Sequence, residues 1–252
     1  MHCQYIKGRE FLNIESEEFD PEEGIRRLTL SAMQGFDVAM YRLGKVYLQG
    51  ELVEKNIGEA LRWLWEADAK DNPYAQYQLG KLYLKGEDVS TDYATAQRMF
   101  EKSVNQGNAY AMYSLAKMHL QGIAQYSDIR YAVHLLMEAA ERGNQWAEYQ
   151  LGKMYLYGQG VDKNYEMAVQ LLTSAASKGN EYAQHLLDNY IILPRSAACN
   201  SCQHFSGAWL HFVRKSHWQP LPLRDIIRAE GPADPAFAIG GEARKGAPRH
   251  KL

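Results

Sequence analysis

The 252-residue chain is predicted to be all-α, a solenoid of antiparallel helix pairs, and three observations lead there. The sequence repeats itself every 36 residues. Asx and Gly residues punctuate each repeat at fixed places. Between those marks the apolar residues recur with helical spacing.

The repeat is legible by eye. The string AMYRLGKVYLQG begins at Ala39, AQYQLGKLYLKG at Ala75, AMYSLAKMHLQG at Ala111 and AEYQLGKMYLYG at Ala147, while a decayed AQHLLDNY begins at Ala183. Residues 73–108 and 145–180 share 14 identities in 36. The second half of each copy keeps the same beat. Ala60, Ala96, Ala132 and Ala168 are followed four residues later by Leu64, Phe100, Leu136 and Leu172. Four copies are complete (37–72, 73–108, 109–144, 145–180). Residues 1–36 form a degenerate copy through Tyr5, Gly8, Phe11 and Leu12, and residues 181–193 a partial one. The array thus opens without an obvious polar cap, as a fragment of a longer array would.

The punctuation defines a helix, a loop and a second helix. Asn72, Asn108, Asn144 and Asn180 precede the first helix of a copy, where the side chain accepts from unpaired N–H groups. Gly50, Gly86, Gly122 and Gly158 follow it, at the position that favours left-handed backbone. Asp20, Asn56, Asp92, Asp128 and Asn164 precede the second helix. Each such cap contributes about 1 kcal/mol.

Within the first helix, Ala75, Leu79, Leu82 and Tyr83 fall on one stripe, the expected buried face. Gly80 lies inside the helix, where glycine costs about 1 kcal/mol relative to alanine. It recurs as Gly44 and Gly152, with Ala116 in the third copy. A close approach of two helices explains the recurrence.

Leu79-Gly80-x-x-Tyr83 followed by Ala96-x-x-x-Phe100 resembles the tetratricopeptide signature, but Gly and Ala are 16 residues apart instead of 12. With the 36-residue period, residues 1 to about 193 resemble Sel1-like repeats. The resemblance implies a right-handed superhelix whose first helices line a concave face, and a role as adaptor or scaffold in protein complexes. LGKLYLKGEDV is also similar to the repeat regions attached to bacterial mobilisation relaxases. That would make the chain an accessory region of a DNA-mobilisation protein without its catalytic domain. No nicking Tyr with a metal-binding His cluster is legible in these residues.

Composition narrows the alternatives. All 17 Tyr lie between Tyr5 and Tyr190, and six of the eight Pro lie from Pro194 onward. Residues 1–194 carry 19 Lys+Arg against 26 Asp+Glu, a net −7, and residues 195–252 carry 9 against 4, a net +5. Neither part concentrates basic charge as a nucleic-acid-binding face does. Three Cys cannot build a disulfide framework, and no apolar run is long enough to span a bilayer. The expectation is a cytoplasmic protein that uses no membrane, nucleic acid or cofactor. Residues 194–218, with HFSGAWLHFVRKSHW, are expected to cap the solenoid or to record a frameshift. Residues 219–252, rich in Ala, Gly and Pro, are expected to be disordered.

Two motifs suggest chemistry. Ser114-Leu115-Ala116-Lys117 matches S-x-x-K, which in penicillin-recognising enzymes sets a nucleophile one turn from its base. Here Lys117 is one rung of the series Lys45, Lys81, Lys117, Lys153, and no S-D-N or K-T-G partner exists. Cys199, Cys202 and His204, with His211 and His217 beyond, supply ligand types suited to Zn²⁺. Their spacing fits no recognised finger, so an incidental cluster is the default.

The expected site is therefore a binding surface. Opposite the buried stripe the helical wheel places Tyr74, Tyr77, Lys81 and Leu84. The equivalents are Tyr110, Trp146 and Tyr182 for Tyr74; Tyr41, Tyr113 and Tyr149 for Tyr77; Lys45, Lys117 and Lys153 for Lys81; and Leu48, Leu120 and Leu156 for Leu84. Stacked on the concave face these form aromatic, cationic and aliphatic ladders suited to a protein or an extended acidic peptide. In the competing reading, Tyr77 and Lys81 merely pack along their own helix at i,i+4.

Overall fold

A computed structural model describes residues 1–190, and these form eleven helices with no strand among them. They are α1 (His2–Phe11), α2 (Pro21–Met33), α3 (Asp37–Gln49), α4 (Ile57–Asp68), α5 (Pro73–Lys85), α6 (Tyr93–Asn105), α7 (Ala109–Gln121), α8 (Ile129–Glu141), α9 (Gln145–Tyr157), α10 (Tyr165–Ser177) and α11 (Glu181–Tyr190). The chain divides into two compact units, Met1–Ser127 with α1 to α7 and residues 128–190 with α8 to α11. In each unit, helices pack on their neighbours in sequence, as the 36-residue period predicts. The expected capping segment and tail, residues 194–252, lie outside the described residues.

The predicted boundaries follow from the caps. Asn72, Asn108 and Asn144 each accept from two N–H groups of the helix they open, and Asn180 accepts from the N–H of Ala183. Asp20, Asn56, Asp92, Asp128 and Asn164 cap the second helices in the same way. Gly50, Gly86, Gly122 and Gly158 end the first helices with φ between 69 and 73°. The degenerate copy lacks part of this. Leu12 ends α1 in right-handed backbone, and Phe36 opens α3 without a side-chain bond.

The cap asparagines also reach sideways. While Oδ1 of Asn72 caps α5, its Nδ2 donates to Asp37 at the start of α3, at 2.6 Å. Asn108 donates to the Pro73 carbonyl at the start of α5, and Asn180 to the Gln145 carbonyl at the start of α9. Each therefore ties its helix to the first helix of the preceding copy.

The core of the first unit runs without a break from Leu28 to Met99 and includes Leu43, Trp63, Leu64 and Leu79. Gly80 marks its tightest point. A Cβ there would lie 2.6 Å from Cε1 of Phe100, whose side chain is fully buried. Gly44 and Gly152 meet Leu64 and Leu172 in the same way. In α1, Lys7 is exposed at the position where Leu43, Leu79, Leu115 and Leu151 are buried, so this face of the first helix carries a charge.

One turn is under strain. Gly35, Gly107, Gly143 and Gly179 link a second helix to the next first helix with φ of 80 to 88°. The second copy places Asp71 there, at φ 57°, the only non-glycine among the described residues with positive φ. Left-handed backbone costs an L-residue roughly 1–2 kcal/mol, less for Asp than for most. Asp71→Gly is expected to raise stability by about 0.5–1 kcal/mol, net of the extra freedom glycine gives the unfolded chain. Urea unfolding of the full chain checks this, and a loss of stability would refute the assignment of strain.

Candidate binding surface

The outward stripe of the first helices is partly as predicted and partly not. Tyr74 and Tyr110 stand 56% and 57% exposed. Tyr41, Tyr77, Tyr149, Trp146, Lys45, Lys81 and Lys117 are half-buried. Leu84 does not belong to the surface: it is 1% exposed, and Leu48 and Leu156 are buried with it. The wheel explains the difference. At about 100° per residue, Leu84 lies some 80° from Tyr74 and one turn beyond Gly80, on the side that closes against the second helix of the pair. The same arithmetic puts Gln78, Lys81 and Lys85 in line with Tyr74, so Gln78, Lys85 and Arg42 are stripe residues that the sequence reading passed over.

Tyr113 and Lys153 are also buried, at 7% and 9% exposure, against the expectation of an open ladder. The Tyr113 position is the edge of the stripe, about 60° from Tyr110 on the wheel. Lys153 folds back on its own helix, its ammonium 5.2 Å from the centre of the Tyr149 ring.

The aromatic residues form contacts between copies, and these have a rule. The ring at the Tyr77 position meets the ring at the Tyr74 position of the following copy. Tyr41 lies 5.9 Å from Tyr74, and Tyr77 lies 6.1 Å from Tyr110. In the second unit Tyr149 lies 6.0 Å from Tyr182, which Trp146 also meets at 5.9 Å. These tilted pairs add about 0.5–1.5 kcal/mol each beyond the area they bury. Burial raises the phenol pKa of Tyr41 and pushes that of Tyr149 up to about 12, so both rings stay neutral through the physiological range. Lys81 lies over Tyr77, with Nζ 5.6 Å from the ring centre, the i,i+4 packing of the competing reading. The ladder thus joins successive copies, and Tyr74 and Tyr110 are its exposed members.

The chemical motifs fare differently. Ser114 is fully buried and its Oγ has no hydrogen-bond partner among the described residues, which closes it to a substrate. Among the described residues no cluster of His, Cys, Asp or Glu could hold a metal ion. Cys199, Cys202 and His204 lie outside them. Cys3 is an exposed free thiol. No helix among the described residues is long and apolar enough to cross a membrane.

A second polar feature was not foreseen. Where Met40 and Met112 are buried, the alternate copies carry Gln76 and Glu148. Gln76 donates to Asp68 at 3.0 Å and accepts from Gln106 at 2.8 Å, while Lys102 bridges both Asp68 oxygens at 3.0 Å. Glu148 accepts from Lys178 at 2.6 Å and Ser174 at 3.0 Å. The alternation Met, Gln, Met, Glu was visible in the sequence. Nothing there said that these side chains point inward.

Comparisons with known proteins agree with the helix pairs, the 36-residue period and the caps. The family model described as Sel1 repeat matches residues 37–64, 73–108, 109–144 and 147–180. The chain belongs to the Sel1 repeat family. A Sel1 repeat protein from Oxalobacter formigenes is 25% identical and superposes with a TM-score of 0.72 over 85% of this chain and 87% of that one. A protective antigen present in uropathogenic Escherichia coli strains is 24% identical with a TM-score of 0.67, over 76% of this chain. This chain spans 42% of the antigen's length. An immunity protein from Pseudomonas aeruginosa, 21% identical, shares the fold at a TM-score of 0.51, over 74% of this chain and 69% of that one. No curated protein matches the chain. The similarity to relaxase-attached repeats gains no support from these matches.

Proposed function

We propose that this chain is a non-enzymatic interaction scaffold that binds an extended acidic segment of a partner protein across α3, α5 and α7. Sel1 repeats commonly mediate protein–protein interaction, which supports the general role. The observation that carries the finer reading is one stripe of successive first helices that combines exposed Tyr74 and Tyr110 with Arg42, Lys45, Lys81, Lys85 and Lys117. Tyrosines offer large contact area with few rotamers to fix, and cations supply attraction to carboxylates. The stripe is cationic although residues 1–194 are net negative, so the charge is local. The exposed free thiol of Cys3 fits work in a reducing cytoplasm.

The test is charge reversal. Lys81→Glu together with Lys117→Glu should lower the thermal midpoint of the full chain by no more than a few degrees, since both side chains are only half-buried and the contact of Lys81 with the Tyr77 ring contributes about 0.5–1 kcal/mol. Binding to a partner recovered by affinity capture should fall by about tenfold or more and lose its salt dependence. Undiminished binding, or wild-type binding insensitive to salt, would move the site to the loops or the second helices.

A further inference from the structure

The polar network around Gln76 borders an open cavity. It has a volume of about 380 Å³ and is lined by Asp71, Gln76, Lys102, Asn105 and Gln106, all within the first unit. Several polar groups here have no counterpart in the other copies. Asp68 stands where the array has Ala32, Val104, Ala140 and Ala176, and Asp71 where it has Gly35, Gly107, Gly143 and Gly179. Lys102 stands where it has Leu30, Glu66, Glu138 and Ser174. The fold does not require these residues. Equivalent joints close with alanine, valine and glycine, and a buried ion pair contributes little net stability over apolar packing.

Their arrangement selects a ligand. The buried Gln76 amide is held between Asp68 and Gln106, and Lys102 is committed to both Asp68 oxygens. That leaves Asp71. Its carboxylate makes no hydrogen bond or ion pair among the described residues, and neither does the Asn105 amide. Asp68 and Asp71 against Lys102 are two carboxylates against one ammonium, so the cavity is short of one positive charge. A free carboxylate flanked by the amide oxygens of Asn105 and Gln106 accepts N–H donors. A metal ion needs more anionic ligands, and among the described residues no cluster of His, Cys, Asp or Glu could hold one. Guanidinium suits the set better than ammonium. Its planar fork bonds both oxygens of a carboxylate, and its remaining N–H groups are available to neighbouring amide oxygens. It is also the more weakly hydrated cation, which favours it where the walls stay open to water.

We propose that this cavity binds a guanidinium group, carried by a free arginine-like molecule or by an arginine side chain of a partner, with Asp71 as its counter-ion. The site is independent of the acidic-segment reading above.

Backbone amide NMR shifts of the full chain, titrated with N-acetyl-arginine amide, test it. Saturable shifts are expected at residues 68–76 and 102–107. N-acetyl-lysine amide should bind about threefold more weakly, and N-acetyl-citrulline amide, which keeps the shape without the charge, about tenfold more weakly. Asp71→Asn tolerates left-handed backbone as aspartate does, and should lower the affinity about tenfold. Asp71→Gly, expected to be the more stable protein, should lose binding as well, so the loss cannot come from unfolding. Free arginine binding more tightly than a capped Gly-Arg-Gly peptide assigns the group to a free molecule, and the reverse order to a protein partner; either order upholds the guanidinium site. Shifts that do not saturate, equal binding of the arginine and citrulline amides, or binding unchanged by Asp71→Asn overturns it.

Discussion

Replacing Phe100 with Ala is expected to cost about 3–5 kcal/mol and to reverse the sign of a second substitution, Gly80→Ala. Phe100 is fully buried, and its ring edge occupies the space a Cβ at Gly80 would need, 2.6 and 2.7 Å from Cε1 and Cδ1. In the native chain Gly80→Ala gains about 1 kcal/mol of helix propensity but overpacks this contact at a cost of about 1–3 kcal/mol. The enclosed ring has nowhere to swing, so the net effect is a loss. Once Phe100 is Ala, the added methyl enters vacated space and only the gain of about 1 kcal/mol remains. A double-mutant cycle by urea unfolding reads the coupling directly. If Gly80→Ala has the same sign in both backgrounds, the two helices do not meet as described.

The second large effect concerns Glu148 and Lys178. Lys178→Ala should destabilise the chain by about 2–3 kcal/mol, below the 3–5 kcal/mol of a fully buried pair because the Lys178 side chain is 37% exposed. It would leave Glu148, with its side chain 7% exposed and its Oε2 already without a hydrogen-bond partner among the described residues, facing Ser174 alone. Glu148→Met should instead stay within about 1 kcal/mol of the native chain, because well-packed apolar replacements of buried charges are often neutral or better. Met40 and Met112 already fill this position in two other copies, at 5% and 2% exposure. Thermal unfolding of the two variants separates the cases. A silent Lys178→Ala would mean that water, not the lysine, satisfies the carboxylate.

Much of this architecture was legible in the sequence because its signals are local and repeated. Asn72 and Asp92 announce helix starts by side-chain chemistry that needs no tertiary partner, and Gly86 announces an end by backbone freedom alone. Gly80 was legible for a further reason: a costly residue repeated in register implies a contact that offsets the cost. The binding surface was read less well. Leu84 was assigned outward on a coarse division of the wheel into two halves, whereas the buried arc extends past Gly80 toward the second helix. Tyr77 points along the array toward Tyr110, and a single-helix wheel contains no neighbouring copy to point at. Asp71 escaped notice because its sequence neighbours are ordinary. Its strain shows only against the glycines one period away.

The sideways bond of the cap asparagines bears on how such an array changes its copy number. Serine or aspartate would open these helices about as well as asparagine, yet neither has an amide to donate to the preceding copy. Asn72 and Asn108 therefore mark equivalent joints, one period apart. Unequal recombination that removes residues 73–108 would splice Asn72 directly onto Ala109, and a duplication would insert the same joint once more. In either product each junction still begins with a residue able both to start a helix and to moor it. Array length can thus drift over generations without any junction having to be reinvented, and the joints that make the fold rigid also make it extensible.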